Sequence, residues 1–192
     1  MSYGFSKYNL KRDFKSTAEP KGEIEKSKND LIFVVQKHAA SHLHYDFRLE
    51  MNGILKSWAI PKGPSMNPED KRLAIMVEDH PYAYKYFEGT IPEGNYGAGT
   101  VIVWDNGTYM LADEENKAKI EDQLKSDLQK GQLSFILNGK KLKGEFALVR
   151  LKIPQKNAWL LVKKKDEYAS ATNILKENKS VISNLTLEEM AK

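Results

Sequence analysis

A chain of 192 residues and 21.9 kDa is long enough to bury one sizeable core and short enough that a single domain is the expected organisation. Its 41% hydrophobic and 29% charged residues fit a soluble globular chain, and no apolar run approaches the roughly 20 residues that cross a bilayer. With no cysteine, disulfides, thiolate nucleophiles and sulfur-ligated metals are excluded, and the polar Met1–Lys7 start lacks the apolar stretch of a secretion signal, so cytoplasmic residence is expected.

Residues 1–30 are polar and mixed in charge, and read as an extended N-terminal arm. From Leu31 onward, short β-branched and aromatic runs alternate with turn signals. The predicted strands are 31–36, 45–51, 54–60, 73–77, 100–104, 108–111, 133–137, 145–151 and 159–163. This spacing predicts a mainly β fold with peripheral helices, a small antiparallel β-barrel over residues 31–165. Asn52-Gly53, Asn106-Gly107 and Asn138-Gly139 each lie between two such runs, and Asn-Gly tolerates the positive φ angles of a type I′ turn, so three hairpins are expected. Between Ala112 and Gly131, Ile120, Leu124 and Leu128 recur at period four, which predicts one amphipathic helix covering an end of the barrel. The remainder, 166–192, reads as a C-terminal helical extension, with a helix near Tyr168–Lys176 and a capping box from Thr186 to Glu189.

The chemistry concentrates in the first half. His44, Asp46, Arg48 and Glu50 alternate with Tyr45, Phe47 and Leu49, so on a strand the imidazole, carboxylate and guanidinium line one face while the aromatics and leucine enter the core. Histidine with aspartate is a ligand pair for a divalent cation, and arginine is the natural partner of a phosphate oxyanion. An ordinary half-buried strand with its polar face in water remains the competing reading. A turn through Ala39 to Leu43 can bring His38 to the same cation, giving a three-ligand set of His38, His44 and Asp46. Such nitrogen and oxygen ligation suits manganese when the substrate is a phosphoryl group, with cobalt or zinc also compatible. His80, beside Pro81, is either a structural turn residue or a general acid or phosphate-binding cation; Tyr84 is either core or a hydroxyl donor. The glycine-rich Pro92–Thr100 stretch lacks the Gly-Lys-Ser/Thr of a P-loop and precedes a strand, so it reads as a loop that needs positive φ.

Several of these segments, in order, resemble the 3′-phosphoesterase domain of bacterial and archaeal DNA ligase D: Gln36-Lys37-His38, Leu43–Glu50, Trp58–Ser65, Glu78–Pro81 with Tyr84 and Phe87–Gly89, and Ile91–Trp104. Phe135–Arg150 continues the likeness, which covers roughly residues 8 to 165. The resemblance implies a manganese-dependent β-barrel hydrolase that removes a 3′-terminal ribonucleoside and then the 3′-phosphate, leaving a 3′-hydroxyl for ligation. It assigns His38, His44 and Asp46 as metal ligands. Catalytic or phosphate-contacting roles go to Arg48, His80, Tyr84, Glu78 and Asp13, and substrate handling to Arg12, Gln36, Lys62, Arg72 and Glu19. His42 matches no motif position. The implied partners are nucleic-acid 3′ ends, a separate ligase or polymerase, and Ku-type end-joining proteins, with the chain itself a monomer that is nucleoid-associated when acting. The sequence has no Lys-x-Asp-Gly nucleotidyl-transfer motif, so it is expected to trim ends rather than seal them. Two other readings stay open, a non-catalytic nucleic-acid-binding accessory and a phosphoesterase of cyclic or small nucleotide phosphates.

The net charge of +4 conceals its distribution: residues 1–116 carry −3, 117–165 carry +9 and 166–192 carry −2. The lysine-rich middle is expected to contact duplex phosphates, unless it is solubilising surface.

Overall fold

The computed structural model describes residues 5–23, 25, 30–111 and 117–192. Alternating runs of branched and aromatic residues become ten strands. These are β1 (Ile32–Ala39), β2 (Leu43–Met51), β3 (Ile54–Ile60), β4 (Lys71–Met76), β5 (His80–Pro81), β6 (Gly89–Ile91), β7 (Gly99–Met110), β8 (Gln132–Gly139), β9 (Lys143–Arg150) and β10 (Ala158–Lys163). They pair antiparallel in the order β1-β2-β3-β4-β10-β9-β8-β7, and β7 closes the ring on β1. The short β5 pairs with β3 and β6 with β7. The expected antiparallel barrel is thus present, closed by eight strands. Three helices join it: α1 (Ser6–Leu10), α2 (Lys117–Lys130) and α3 (Leu187–Met190). No helix among the described residues is long and apolar enough to cross a membrane.

Phe33, Phe47, Trp58, Trp104, Phe135, Phe146 and Trp159 fill the barrel interior. Ile120 and Leu124 of α2 join this core, and α2 stops at Gly131, where φ turns positive. The predicted start of that helix at Ala112 lies outside the described residues, as do arm residues 1–4, 24 and 26–29. Ile174 and Leu175 pack against the core from the C-terminal segment. A second apolar cluster, including Tyr8, Val34, Leu55, Tyr84, Phe87 and Val101, forms outside the barrel wall, where the arm and residues 80–91 lie over β1 to β3. Consequently β2 is buried on both faces from Tyr45 onward, so Asp46, Arg48 and Glu50 are withdrawn from water while His44 stays partly exposed.

Only one Asn-Gly pair makes the expected type I′ turn: Asn52 and Gly53 have φ of 53° and 78° and join β2 to β3. Asn106-Gly107 makes no turn, because β7 runs unbroken from Gly99 to Met110 and merges two predicted strands. There Gly107 lies between Phe33 of β1 and Gly139 of β8, and a Cβ on it would stand 2.1 Å from the Asn138 carbonyl oxygen. Glycine is needed here for close strand approach rather than for backbone freedom. The third hairpin, β8–β9, exists, but Lys140 and Lys141 form its tip. The buried Asp105 carboxylate accepts the backbone N–H of Lys140 and Lys141 at 3.0 Å and of Leu142 at 2.8 Å.

The Thr186 capping box forms as expected at α3. The helix predicted near Tyr168–Lys176 does not; a single 3₁₀ turn spans Ile174–Lys176. Ser170 Oγ accepts from the Thr172 N–H and Asn173 Oδ1 from the Leu175 N–H, so short polar side chains capture amides that a helix would use.

Asp105→Ala removes the buried acceptor of three hairpin amides and should lower unfolding stability by about 3 kcal/mol. Urea denaturation measures this, with m unchanged if the barrel survives.

Candidate active site

The outer face of β1–β2–β3 carries the candidate residues, and strand register assembles them. His38 stands opposite His44, Gln36 opposite Asp46, Asp46 opposite Ala59, and Arg48 opposite Ser57. Cross-strand partners share a face, so period-two residues on three strands converge on one patch. The donor atoms of His38, His44 and Asp46 lie within 4.8 Å of one another. Asp46 Oδ2 is 3.8 Å from both His38 Nδ1 and His44 Nε2.

Local hydrogen bonds set the state of each group. His44 Nδ1 lies 2.9 Å from the His42 carbonyl oxygen, which can only accept, so Nδ1 carries a hydrogen and Nε2 is the nitrogen turned toward Asp46. His42, matched to no motif, thus orients its neighbour through its backbone. Burial opposes ionisation of Asp46, but the Arg48 charge and then the hydrogen bond from His38 outweigh it and hold the carboxyl well below the usual carboxylate range. His38 Nε2 is buried without a hydrogen-bond partner among the described residues.

Arg48 is the hub of the patch. Its Nε donates to Gln36 Oε1 at 2.8 Å, Nη1 to Ser57 Oγ at 2.8 Å and Nη2 to Asp46 Oδ2 at 3.2 Å. Gln36 is itself fixed, donating to the Tyr84 and Phe87 carbonyls at 3.1 and 2.9 Å. The Tyr84 ring lies 4.9 Å from the guanidinium carbon. His80 Nδ1 approaches the Glu78 carbonyl at 3.0 Å and Ser57 Oγ at 3.4 Å. Burial, helped by the Arg48 charge, pushes the His80 pKa well below its ordinary value, so His80 is neutral with its lone pair on Nε2. This differs from the acid or phosphate-binding cation offered by the sequence reading. Arg48, and Arg12 from the arm, both disfavour a further positive charge on that desolvated imidazole.

The arm completes the site. Arg12 Nε pairs with Glu19 at 2.9 Å, and its Nη1 pairs with Glu78 at 2.8 Å. Tyr84 donates its hydroxyl to Glu19 at 2.9 Å, so it is both core and hydroxyl donor. Burial and then Glu19 push its pKa well up, which keeps the phenol protonated. Tyr8 packs its ring 5.4 Å from that of His80.

Three expected residues lie apart. Asp13 is exposed and accepts the Lys15 N–H at 3.0 Å within its own turn. Lys62 and Arg72 line a separate cleft of about 410 Å³ with Ser65, Asp70 and residues 171–175, and Arg72 pairs with Asp70 at 2.8 Å. β9 stands away from the trio, four strands from β2 either way around the barrel, and most lysines of residues 117–165 lie not in β8–β10 but in α2, at the Lys140-Lys141 tip and in the segments after β9 and β10. Conversely, Ser57 and Tyr8 were not anticipated. Counting outward from the Asn52-Gly53 turn places Ser57 opposite Arg48, a usable signal; Tyr8 is brought across 72 residues and has none.

Together the fold and site define a closed antiparallel barrel with an N/N/O donor trio and a buried arginine on its outer wall. The chain belongs to the DNA ligase D 3′-phosphoesterase domain family, whose model matches residues 36–150. It is 48% identical over 189 residues to the multifunctional non-homologous end joining protein LigD of Pseudomonas aeruginosa, covering 95% of this chain and 21% of that protein. The corresponding protein of Mycolicibacterium smegmatis is 41% identical over 162 residues, covering 83% of this chain and 20% of its own. For the LigD of Mycobacterium tuberculosis H37Rv the identity is 42% over 146 residues, covering 76% and 18%. The chain therefore spans about a fifth of the length of these relatives.

Ser57→Ala should cost about 1–3 kcal/mol, because Arg48 Nη1 loses its buried acceptor; chemical denaturation measures it. The unfolded chain takes up a proton at His80 near pH 6.5, which the folded chain refuses until far lower pH. His80 therefore contributes a loss of stability of up to about 1.4 kcal/mol per pH unit as pH falls below that value. In chelator-treated protein, His80→Asn should flatten the stability profile between pH 6.5 and 5.

Proposed function

We propose that this chain is a manganese-dependent 3′-end-healing phosphoesterase, removing a 3′-terminal ribonucleoside and then the 3′-phosphate to leave a 3′-hydroxyl. The observation that carries the reading is the convergence of the His38, His44 and Asp46 donors within 4.8 Å, with Asp46 bonded to the buried Arg48. The donor set suits a divalent transition metal such as manganese, cobalt or zinc, and the unpartnered His38 Nε2 is the kind of buried nitrogen that such an ion would satisfy. When bound, the ion supplies Lewis acidity toward a phosphoryl oxygen.

The chain's own residues supply the rest. Arg48 keeps its charge in a water-poor setting and spends three of its five N–H donors on Gln36, Ser57 and Asp46, leaving others for a phosphoryl oxygen. His80, neutral and held through Nδ1, enters the reaction as a proton acceptor at Nε2. Tyr84, protonated and anchored on Glu19, braces the Arg48 plane. Arg12, Glu19 and Glu78 hold the arm over His80, and Gln36 fixes Arg48 in its plane. Lys62 and Arg72, in their own cleft, are proposed to engage substrate farther from the reacting phosphate.

The relatives' names place them in non-homologous end joining, and we assign this chain the same context: DNA or RNA 3′ ends as substrate, a separate ligase or polymerase and Ku-type proteins as partners, and action in the cytoplasm at the nucleoid as a monomer.

His44→Ala and Asp46→Ala should each abolish manganese-dependent phosphate release from a 3′-phosphate primer, a drop of at least about a hundredfold. Near-normal activity in both variants would overturn the metal assignment. Running primer-template, mononucleotide and cyclic-phosphate substrates in one assay separates end healing from small-molecule phosphoester hydrolysis.

A further inference from the structure

The glycine-rich loop between β6 and β7, which the sequence leaves as a positive-φ connection, has no role in the site described so far. Gly94, Gly97 and Gly99 indeed have φ of 83°, 78° and 136°. At Gly99 a Cβ would lie 2.2 Å from the Ala39 carbonyl oxygen, so the loop's exit is pressed against the end of β1, one residue beyond His38. The next residue, Thr100, stands opposite Ala39, and Val101 opposite His38. The loop's centre is tied to the arm, where Ser16 Oγ donates to Asn95 Oδ1 at 2.9 Å.

At the tip between these two anchors sits Tyr96, 49% exposed. Lys11 Nζ is 4.4 Å from its ring centroid and Arg12 Cζ 5.5 Å. Both cations pair with Glu78, two residues before His80. Tyr96 is therefore placed at the rim of the site, with the metal-ligand end of β1 on one side and the His80 roof on the other. Tyr8, Tyr82 and Tyr84 are buried in packing, whereas Tyr96, like Tyr86 and Tyr168, is exposed, and of these it alone is tied to the arm cations that pair with Glu78. A half-open ring beside an ammonium instead suits a nucleotide: the ring takes the face of a base and the ammonium its phosphate.

We infer that Tyr96 is a base-stacking platform for the 3′-terminal nucleoside of the substrate, a contact that reads the presence of a base rather than its identity. Every base offers a π-face, so this subsite favours nucleic-acid ends over base-free phosphoesters without imposing sequence. The inference rests on the proposed 3′-end activity for its substrate class. It assigns Tyr96 to binding and not to the reacting atoms.

The test uses a primer-template with 2-aminopurine as the 3′-terminal nucleotide and a 3′-phosphate, alongside the same primer ending in an abasic 3′-phosphate. Binding to the wild-type chain should quench 2-aminopurine fluorescence. Tyr96→Ala should abolish the quenching and weaken binding of the base-bearing primer by about 5- to 150-fold, with little change for the abasic primer. Tyr96→Phe, which keeps the ring, should behave as wild type. Equal losses for both primers, or loss in Tyr96→Phe as well, would overturn the stacking role. The two readings fail separately: quenching without manganese-dependent hydrolysis would remove the proposed activity and leave the subsite, whereas hydrolysis with unquenched fluorescence would remove the subsite and leave the activity.

Discussion

A guanidinium buried in a barrel wall has to find hydrogen-bond acceptors inside the protein, because water cannot supply them. Arg48 meets this requirement through Gln36, Ser57 and Asp46, each contributed by β1, β2 or β3 at the same level of the sheet. Each of those acceptors is held in turn. Gln36 is fixed by the carbonyls of Tyr84 and Phe87, and Ser57 donates to the Leu55 carbonyl at 3.0 Å. Satisfying one cation thus fixes the orientation of the carboxylate that faces both imidazoles. It also places a permanent positive charge beside His80, and that charge, with burial, determines the state in which His80 enters chemistry.

The desolvation that makes Arg48 demanding comes from the arm and the 78–91 segment. Their apolar residues, Tyr8, Tyr82, Tyr84 and Phe87, form a second core against the outer wall. Their charged residues, Arg12, Glu19 and Glu78, pair above it, with Lys11 as a further partner of Glu78. Pairs of this kind are weak contributors to stability, because their attraction is offset by lost hydration, but they are costly to break singly. Their effect here is positional. Arg12 reaches both acids, so the arm has one seating, and that seating brings Tyr8 onto the His80 ring and Lys11 onto Tyr96.

Where the sequence was readable, the signal was local and periodic. Alternation in Leu43–Met51 identified the strand and the face that His44, Asp46 and Arg48 share, because period two is a property of any extended chain. Thr186 with Glu189 announced a cap that spans only three residues. The failures share one cause. Asn106-Gly107 has the composition of a turn, yet its glycine serves the approach of three strands, a contact among residues 33, 107 and 138 that no local window contains. Lys62 and Arg72, which the family resemblance assigns to substrate handling, line a different cleft with residues 171–175, a placement that no local window shows.

The sequence by itself determined the kind of fold, the strand bearing His44, Asp46 and Arg48, and the family, because alternation and ordered motifs survive without knowledge of distant contacts. Tertiary structure decided what those residues are: that Asp46 and Arg48 on the polar face of β2 are buried rather than wetted, that His80 is neutral, and that Ser57 and Tyr8 belong to the site. Each of these depends on burial and register between segments far apart in the chain. A charge or a lone pair takes its character from what surrounds it, and only the closed barrel with its arm in place sets those surroundings.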